Sequence, residues 1–262
     1  MKILGIMKGG IGDCLMIANL ASTCCDFTIA VEDYQIPLLS HIQGCKAISI
    51  KETKNPRISQ EYDEVINFAY FLSSGHTLRE GDYYKLVEDR LGIKSPTLAG
   101  FDIPREESGG IYIHPQASNP NRDWLRERWQ EVIPELARYH TVYLLGRQAE
   151  FKIRGDNIVD LSKISDDLLW QTERLATASY FIGVDSGFCH IAGILGIPGN
   201  VLFFNTKSED VIHRYPTLEG IDSFNGLEPS RSTKIPCETS EKFKKELLPE
   251  TLIKTVRDAY NS

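Results

Sequence analysis

The chain has 262 residues, of which 42% are hydrophobic and 25% charged; that composition supports a buried core and excludes wholesale disorder. With 29 Lys and Arg against 36 Asp and Glu the net charge is -7, so coating of nucleic acid by bulk charge is disfavoured and at most peripheral membrane contact is expected. The apolar runs Tyr180–Val184 and Ile191–Leu195 are too short for a transmembrane helix, Met1–Lys8 has no signal-peptide pattern, and the 6 cysteines include no Cys-x-x-Cys pair. A cytoplasmic protein with reduced thiols, no metal site and no disulfide framework is expected.

In chain order, Lys2–Met7 reads as a strand, Lys8–Gly12 as a glycine loop, Cys14–Ser22 as a helix and Phe27–Val31 as a second strand. Parallel strands need a crossover, so this short βαβ unit implies a parallel sheet covered by helices, the α/β class. Glu64–Phe68 reads as a further strand and Tyr83–Leu91 as a helix. Between Gly100 and Gly110 periodicity is lost while Pro, Gly and charge gather, which marks a linker and sets the expected domains at residues 1–105 and 106–262. The pattern then restarts with strand Gly110–His114, helix Trp124–Tyr139, strand Thr141–Leu145, a small strand Ile158–Asp160 and helix Ser165–Ala178. Strand Tyr180–Val184, helix Gly187–Leu195, strand Asn200–Phe204 and helix Pro249–Tyr260 complete it. A second doubly wound domain is expected, with ligand-binding loops at the carboxyl ends of the strands facing a cleft between the two domains.

Four loops carry candidate chemistry. Gly9-Gly10-Ile11-Gly12-Asp13 follows the first strand and opens a helix, a place where backbone can approach an anion. Glu32 stands about 20 residues on, where a dinucleotide fold keeps a ribose-binding acid, but Leu15 occupies the third glycine position and no Gly-Lys-Ser/Thr is present. Asp13 reads equally as a helix cap or as a general base. In Asp185-Ser186-Gly187-Phe188-Cys189-His190, Ser186 and Gly187 offer a hydroxyl and N–H groups at a positive helix end, and His190 stands on the first turn. Taken singly, Asp185 is a cap and His190 a packed histidine as readily as ligands; together they favour a diphosphate site. His114–Trp124 supplies Arg122, whose forked donors suit phosphate, and the Ser118 hydroxyl. Glu150, after strand Thr141–Leu145, reads as a ribose-binding acid or an exposed loop residue.

These loops, in this order, resemble glycosyltransferase family 9, the ADP-heptose lipopolysaccharide heptosyltransferases. Asp185-Ser186-Gly187-x-x-His190-x-Ala192 followed by Gly196-x-Pro198 is similar to the family's Asp-Ser/Thr-Gly-x-x-His-x-Ala signature, and Ser118–Trp124 to its Thr/Ser-x-x-x-Lys-x-Trp element, with Arg122 in place of the lysine. The resemblance implies a GT-B fold, two Rossmann-like domains facing a cleft, and an inverting, metal-independent transfer from a nucleotide-sugar, with heptose from ADP-heptose as the expected donor. It implies Asp13 as the base on the acceptor hydroxyl, Lys8, Gly10 and Gly12 on the acceptor-side loop, Ser118, Arg122, Ser186, Gly187 and His190 on the diphosphate, Glu150 on the ribose and Asp185 near the sugar. The nucleotide-sugar is a co-substrate and no cofactor is implied. An acceptor glycan or other hydroxyl-bearing molecule is the second partner. An epimerase-like protein of the same fold, a binding module that has lost catalysis, and an NAD-dependent dehydrogenase are the alternatives.

Overall fold

The computed structural model describes residues 1–68, 83–92, 97–106, 108–147, 153–204, 206–223 and 237–260, and the chain divides into two compact units, Met1–Pro104 and Arg105–Ser262. Among the described residues no helix is long and apolar enough to cross a membrane.

The first unit runs β1 (Lys2–Ile6), α1 (Ile11–Ala21), β2 (Asp26–Val31), a short α2 (Ile36–Leu39), β3 (Cys45–Ser49), β4 (Glu64–Asn67) and α3 (Tyr83–Leu91). Its four-stranded sheet has the order β3-β2-β1-β4 and every pairing is parallel. Ile3, Leu4, Phe27 and Ile29 are fully buried, and Cys14 to Ala21 on α1 are buried all round. Burial on both faces is what makes such central strands read as unbroken apolar runs. Strand order reverses between β1 and β4, so the Gly9–Asp13 loop leaves the sheet at a switch point.

The second unit runs β5 (Ile111–His114), α4 (Arg126–Ala137), β6 (Val142–Leu144), β7 (Ile158–Asp160), α5 (Leu168–Leu175), β8 (Tyr180–Val184) and α6 (Gly187–Ile194). It continues with β9 (Gly199–Phe203), α7 (Ser208–Val211), β10 (Leu218–Asp222), α8 (Cys237–Glu246) and α9 (Pro249–Tyr260). Six parallel strands lie in the order β10-β9-β8-β5-β6-β7. The switch point falls between β5 and β8, where His114 pairs with Gly183, so the loops after these two strands emerge side by side.

Two helices begin later than the periodicity predicts, each for a local reason. The Asp167 carboxylate accepts the Trp170 N–H at 2.7 Å and starts α5 there, two residues beyond Ser165. Leu125 is extended (φ -62°, ψ 134°) and caps α4, so that helix begins at Arg126 and not at Trp124.

A Cβ on Gly199 would lie 2.2 Å from the Phe181 carbonyl oxygen, its neighbour on β8. Gly199→Ala therefore has to separate two central strands, and urea unfolding should show a loss of about 3 kcal/mol. A loss under about 1 kcal/mol would contradict the close approach.

Candidate functional site

In the first unit, Asp13 stands on the first turn of α1, half-buried, and its Oδ2 accepts the Gly10 N–H at 3.0 Å. The capping role read from sequence is thus present: one N–H that the helix cannot satisfy is taken up by the carboxylate. Lys8 and Gly10 are exposed and Gly12 half-buried. A residue that sequence reasoning missed fixes this loop from the 3-10 turn Asp33–Gln35 after β2. Gln35, fully buried, donates from Nε2 to the Gly9 carbonyl at 3.1 Å and accepts the Glu32 N–H on Oε1 at 3.2 Å.

In the second unit, the loops after β5, β8 and β9 converge. Asp185, 5% exposed, accepts the Thr206 hydroxyl on Oδ2 at 2.7 Å, and its Oδ1 lies 3.6 Å from an Arg122 guanidinium nitrogen. The Arg122 Nε is buried and has no hydrogen-bond partner among the described residues. An orphaned guanidinium N–H costs free energy until an acceptor arrives. Ser186 precedes α6 and shares a 2.9 Å hydrogen bond between its Oγ and His114 Nδ1. Gly187 opens that helix, so its amide belongs to a first turn whose N–H groups point outward at the positive end of the dipole.

The two histidines do not supply charge. His190 is 4% exposed, with Nδ1 3.1 Å from the Tyr215 hydroxyl. Burial pushes it down to about 4, the Asp185 carboxylate opposing this only in part. His114 packs on Phe188 at 4.4 Å between ring centroids and is pushed down to about 3 by burial. Both are neutral at pH 7, so Arg122 and the helix end carry the positive field of this cluster. The Cys189 thiol, also buried, is pushed up and bonds the Ser186 carbonyl, a packing role. Room for Tyr215 comes from Gly193, where a Cβ would sit 2.3 Å from the tyrosine ring.

Arg122, Asp185, Ser186, Gly187 and His190 thus share one end of one sheet. Ser118 is exposed on the same loop as Arg122, and Glu150 lies outside the described residues. His114, Thr206 and Tyr215 were not singled out from sequence. Only His114 carried a signal, a polar residue closing an apolar strand.

Each unit is a parallel α/β sheet of the nucleotide-binding type, and the second gathers a guanidinium, a hydroxyl and a helix amino terminus at its switch point, an arrangement suited to an anionic ligand. The chain belongs to glycosyltransferase family 9 (heptosyltransferase), whose profile matches residues 78–221, more than half of its length. The matched stretch holds every donor-side candidate; the Gly9–Asp13 loop precedes it. No curated protein matches the sequence.

Among solved structures, the iron-containing dodecameric glycosyltransferase TibC from enterotoxigenic E. coli H10407 is similar, with TM-score 0.71 and 16% identity over 99% of this chain and 76% of that one. TibC described as a heptosyltransferase in complex with ADP-D-β-D-heptose gives TM-score 0.70 and 16% identity over 98% and 76%. The E. coli ADP-heptose lipopolysaccharide heptosyltransferase II gives TM-score 0.68 and 18% identity over 98% of this chain and 100% of that one. At these identities the likeness shows the fold.

The buried neutral histidines set a pH dependence. Their folded pKa values lie below the ordinary histidine value of about 6.5, so the unfolded chain binds protons that the folded chain refuses. Stability is full above about pH 6.5 and falls as pH drops toward about 4, by up to about 1.4 kcal/mol per pH unit for each histidine. Urea unfolding at pH 7, 6 and 5 should show a shallower decline in His190→Gln than in the parent chain. Parallel declines would contradict a neutral buried imidazole.

Proposed function

We propose that this nucleotide-sugar glycosyltransferase moves heptose from ADP-heptose to an acceptor hydroxyl, inverting the anomeric centre without a catalytic metal. The observation that carries the reading is the Arg122–Asp185–Ser186 cluster at the β5–β8 switch point, within the stretch that matches the family. Arg122, Ser118, Ser186 and the Gly187 amide hold the diphosphate; His190 lines it as a neutral ring; Asp185 stands by the sugar; Glu150 binds the ribose. Support for ADP-heptose comes from the similar TibC structure, which holds ADP-D-β-D-heptose. Metal independence is supported by a sequence without Asp-x-Asp, with cationic donors stabilising the leaving group instead.

Asp13 then takes the proton of the acceptor hydroxyl as its oxygen attacks the anomeric carbon. The bond from that carbon to the phosphate oxygen breaks, and ADP leaves with the electron pair. Lys8, Gly10 and Gly12 border the acceptor. A lipopolysaccharide acceptor and a cytoplasmic location belong to the same proposal, the latter supported by five free cysteines among the described residues.

Asp13→Asn should lower transfer by at least about 100-fold while leaving the calorimetric affinity for ADP within about twofold of the parent. Transfer that survives the substitution removes the base. Arg122→Met should weaken ADP at least about tenfold, the scale of one charge-assisted contact to phosphate; unchanged affinity removes the diphosphate assignment.

One observation favours a second reading, a nucleotide-sugar-binding protein without transfer. Asp13 is already engaged as a cap by Gly10, and its loop lies outside the matched stretch. Release of ADP from ADP-heptose only when an acceptor is present separates the two.

A further inference from the structure

The loop that carries Arg122 is gripped by a residue 120 positions away from its tryptophan. Lys244 on α8 is 6% exposed, and its ammonium donates to the Pro120 carbonyl at 2.9 Å. The main-chain carbonyl of the same residue accepts the Trp124 indole N–H at 2.9 Å. Pro120 opens the 3-10 turn that ends at Arg122, and Trp124 stands two residues beyond it. One residue therefore fastens the chain on both sides of the guanidinium.

Inside the loop two further bonds keep the turn in shape. Asp123 Oδ1 accepts the Ala117 N–H at 2.5 Å, and Asn119 Oδ1 accepts the Asn121 N–H at 3.0 Å. The second anchor is itself held, because Trp124 is buried and stands edge-on to Trp129 at 5.1 Å between ring centroids.

A buried ammonium is a costly way to attach a helix. Glu241 lies 3.1 Å away on the same helix and gives no tie to the loop, while the Lys244 charge also favours the ionised Asp123 carboxylate inside the loop. Apolar side chains of similar size would join α8 to the loop at least as stably. What they would not do is fix a carbonyl at a set distance, and with it the backbone from which Arg122 projects. Holding a ligand-binding group in place before the ligand arrives removes an ordering cost from the binding step.

We propose that Lys244 is a positioning residue for Arg122, presetting the Pro120–Trp124 segment for the diphosphate of the donor. This rests on the diphosphate assignment of Arg122 made above and extends it to α8, which lies outside the matched family stretch.

The test is a double-mutant cycle read by calorimetry, with whichever of ADP, GDP, UDP and CDP the parent chain binds most tightly as the probe. Lys244→Met should raise the Kd about tenfold in the parent, and less than about twofold when Arg122→Met is already present, because coupled residues do not add. Equal factors in both backgrounds, or no effect in the parent, overturn the proposal; a purely structural attachment gives one of those two. Should Lys244→Met fail to fold, Trp124→Phe removes the other tie while keeping an aromatic ring against Trp129. It should weaken the probe about threefold, again only when Arg122 is present, and parental affinity would overturn the proposal. The two readings fail differently. Parental affinity in Arg122→Met, or no binding of any probe, defeats the diphosphate assignment, whereas a weakened Arg122→Met beside an unaffected Lys244→Met defeats only the positioning.

Discussion

The parallel pairing of β5 with β8 is the constraint on which the second unit depends. Strands that enter the sheet consecutively are laid to one side, β6 then β7, until the chain returns and places β8 against the opposite edge of β5. Because His114 and Gly183 are partners in register, the segments that follow them leave the sheet together. Arg122, carried on one segment, meets Asp185, carried on the other, and the Ser186 hydroxyl meets His114. No long-range side-chain attraction has to find these partners; the backbone register delivers them.

Electrostatics in that region follow from burial. An imidazole enclosed by phenylalanine, tyrosine and backbone loses more by desolvation than a single neighbouring carboxylate returns, so the histidines act as hydrogen-bonding rings. The positive field falls to one guanidinium, part-exposed and with a buried N–H lacking a partner among the described residues, and to the amino end of α6. The histidine of the Asp–Ser–Gly–x–x–His pattern serves packing: His190 meets Tyr215, and Tyr215 fits because residue 193 is glycine.

Much of this was legible in the sequence. β7, β8, α3 and α9 fall at the residues that periodicity indicated, and the other strands read from the sequence begin or end within a residue or two. Central strands announce themselves because both faces are covered. β3 and β10 passed unread: each is an edge strand, and of Leu218–Asp222 only Leu218 is buried, so no apolar run marks it. The site was legible where residues stand close in sequence, as in Asp185–His190. It was not legible where the partner comes from a distant loop. Nothing local to Thr206, Gln35 or Lys244 says that a carboxylate, a glycine carbonyl or a proline carbonyl awaits it.

Under the diphosphate assignment proposed for Arg122, its 3.6 Å approach to Asp185 has a consequence for how an anion is received. A guanidinium already facing a carboxylate is not a bare attractor, and an incoming phosphate has to compete for it. Capture becomes a partner exchange in which the aspartate, still held by Thr206, must tolerate a second negative group nearby. Such an exchange would discriminate by valence: a weakly charged monoester gains little over the resident carboxylate, while a pyrophosphoryl group, with more charge and more acceptor oxygens, competes for the guanidinium more strongly.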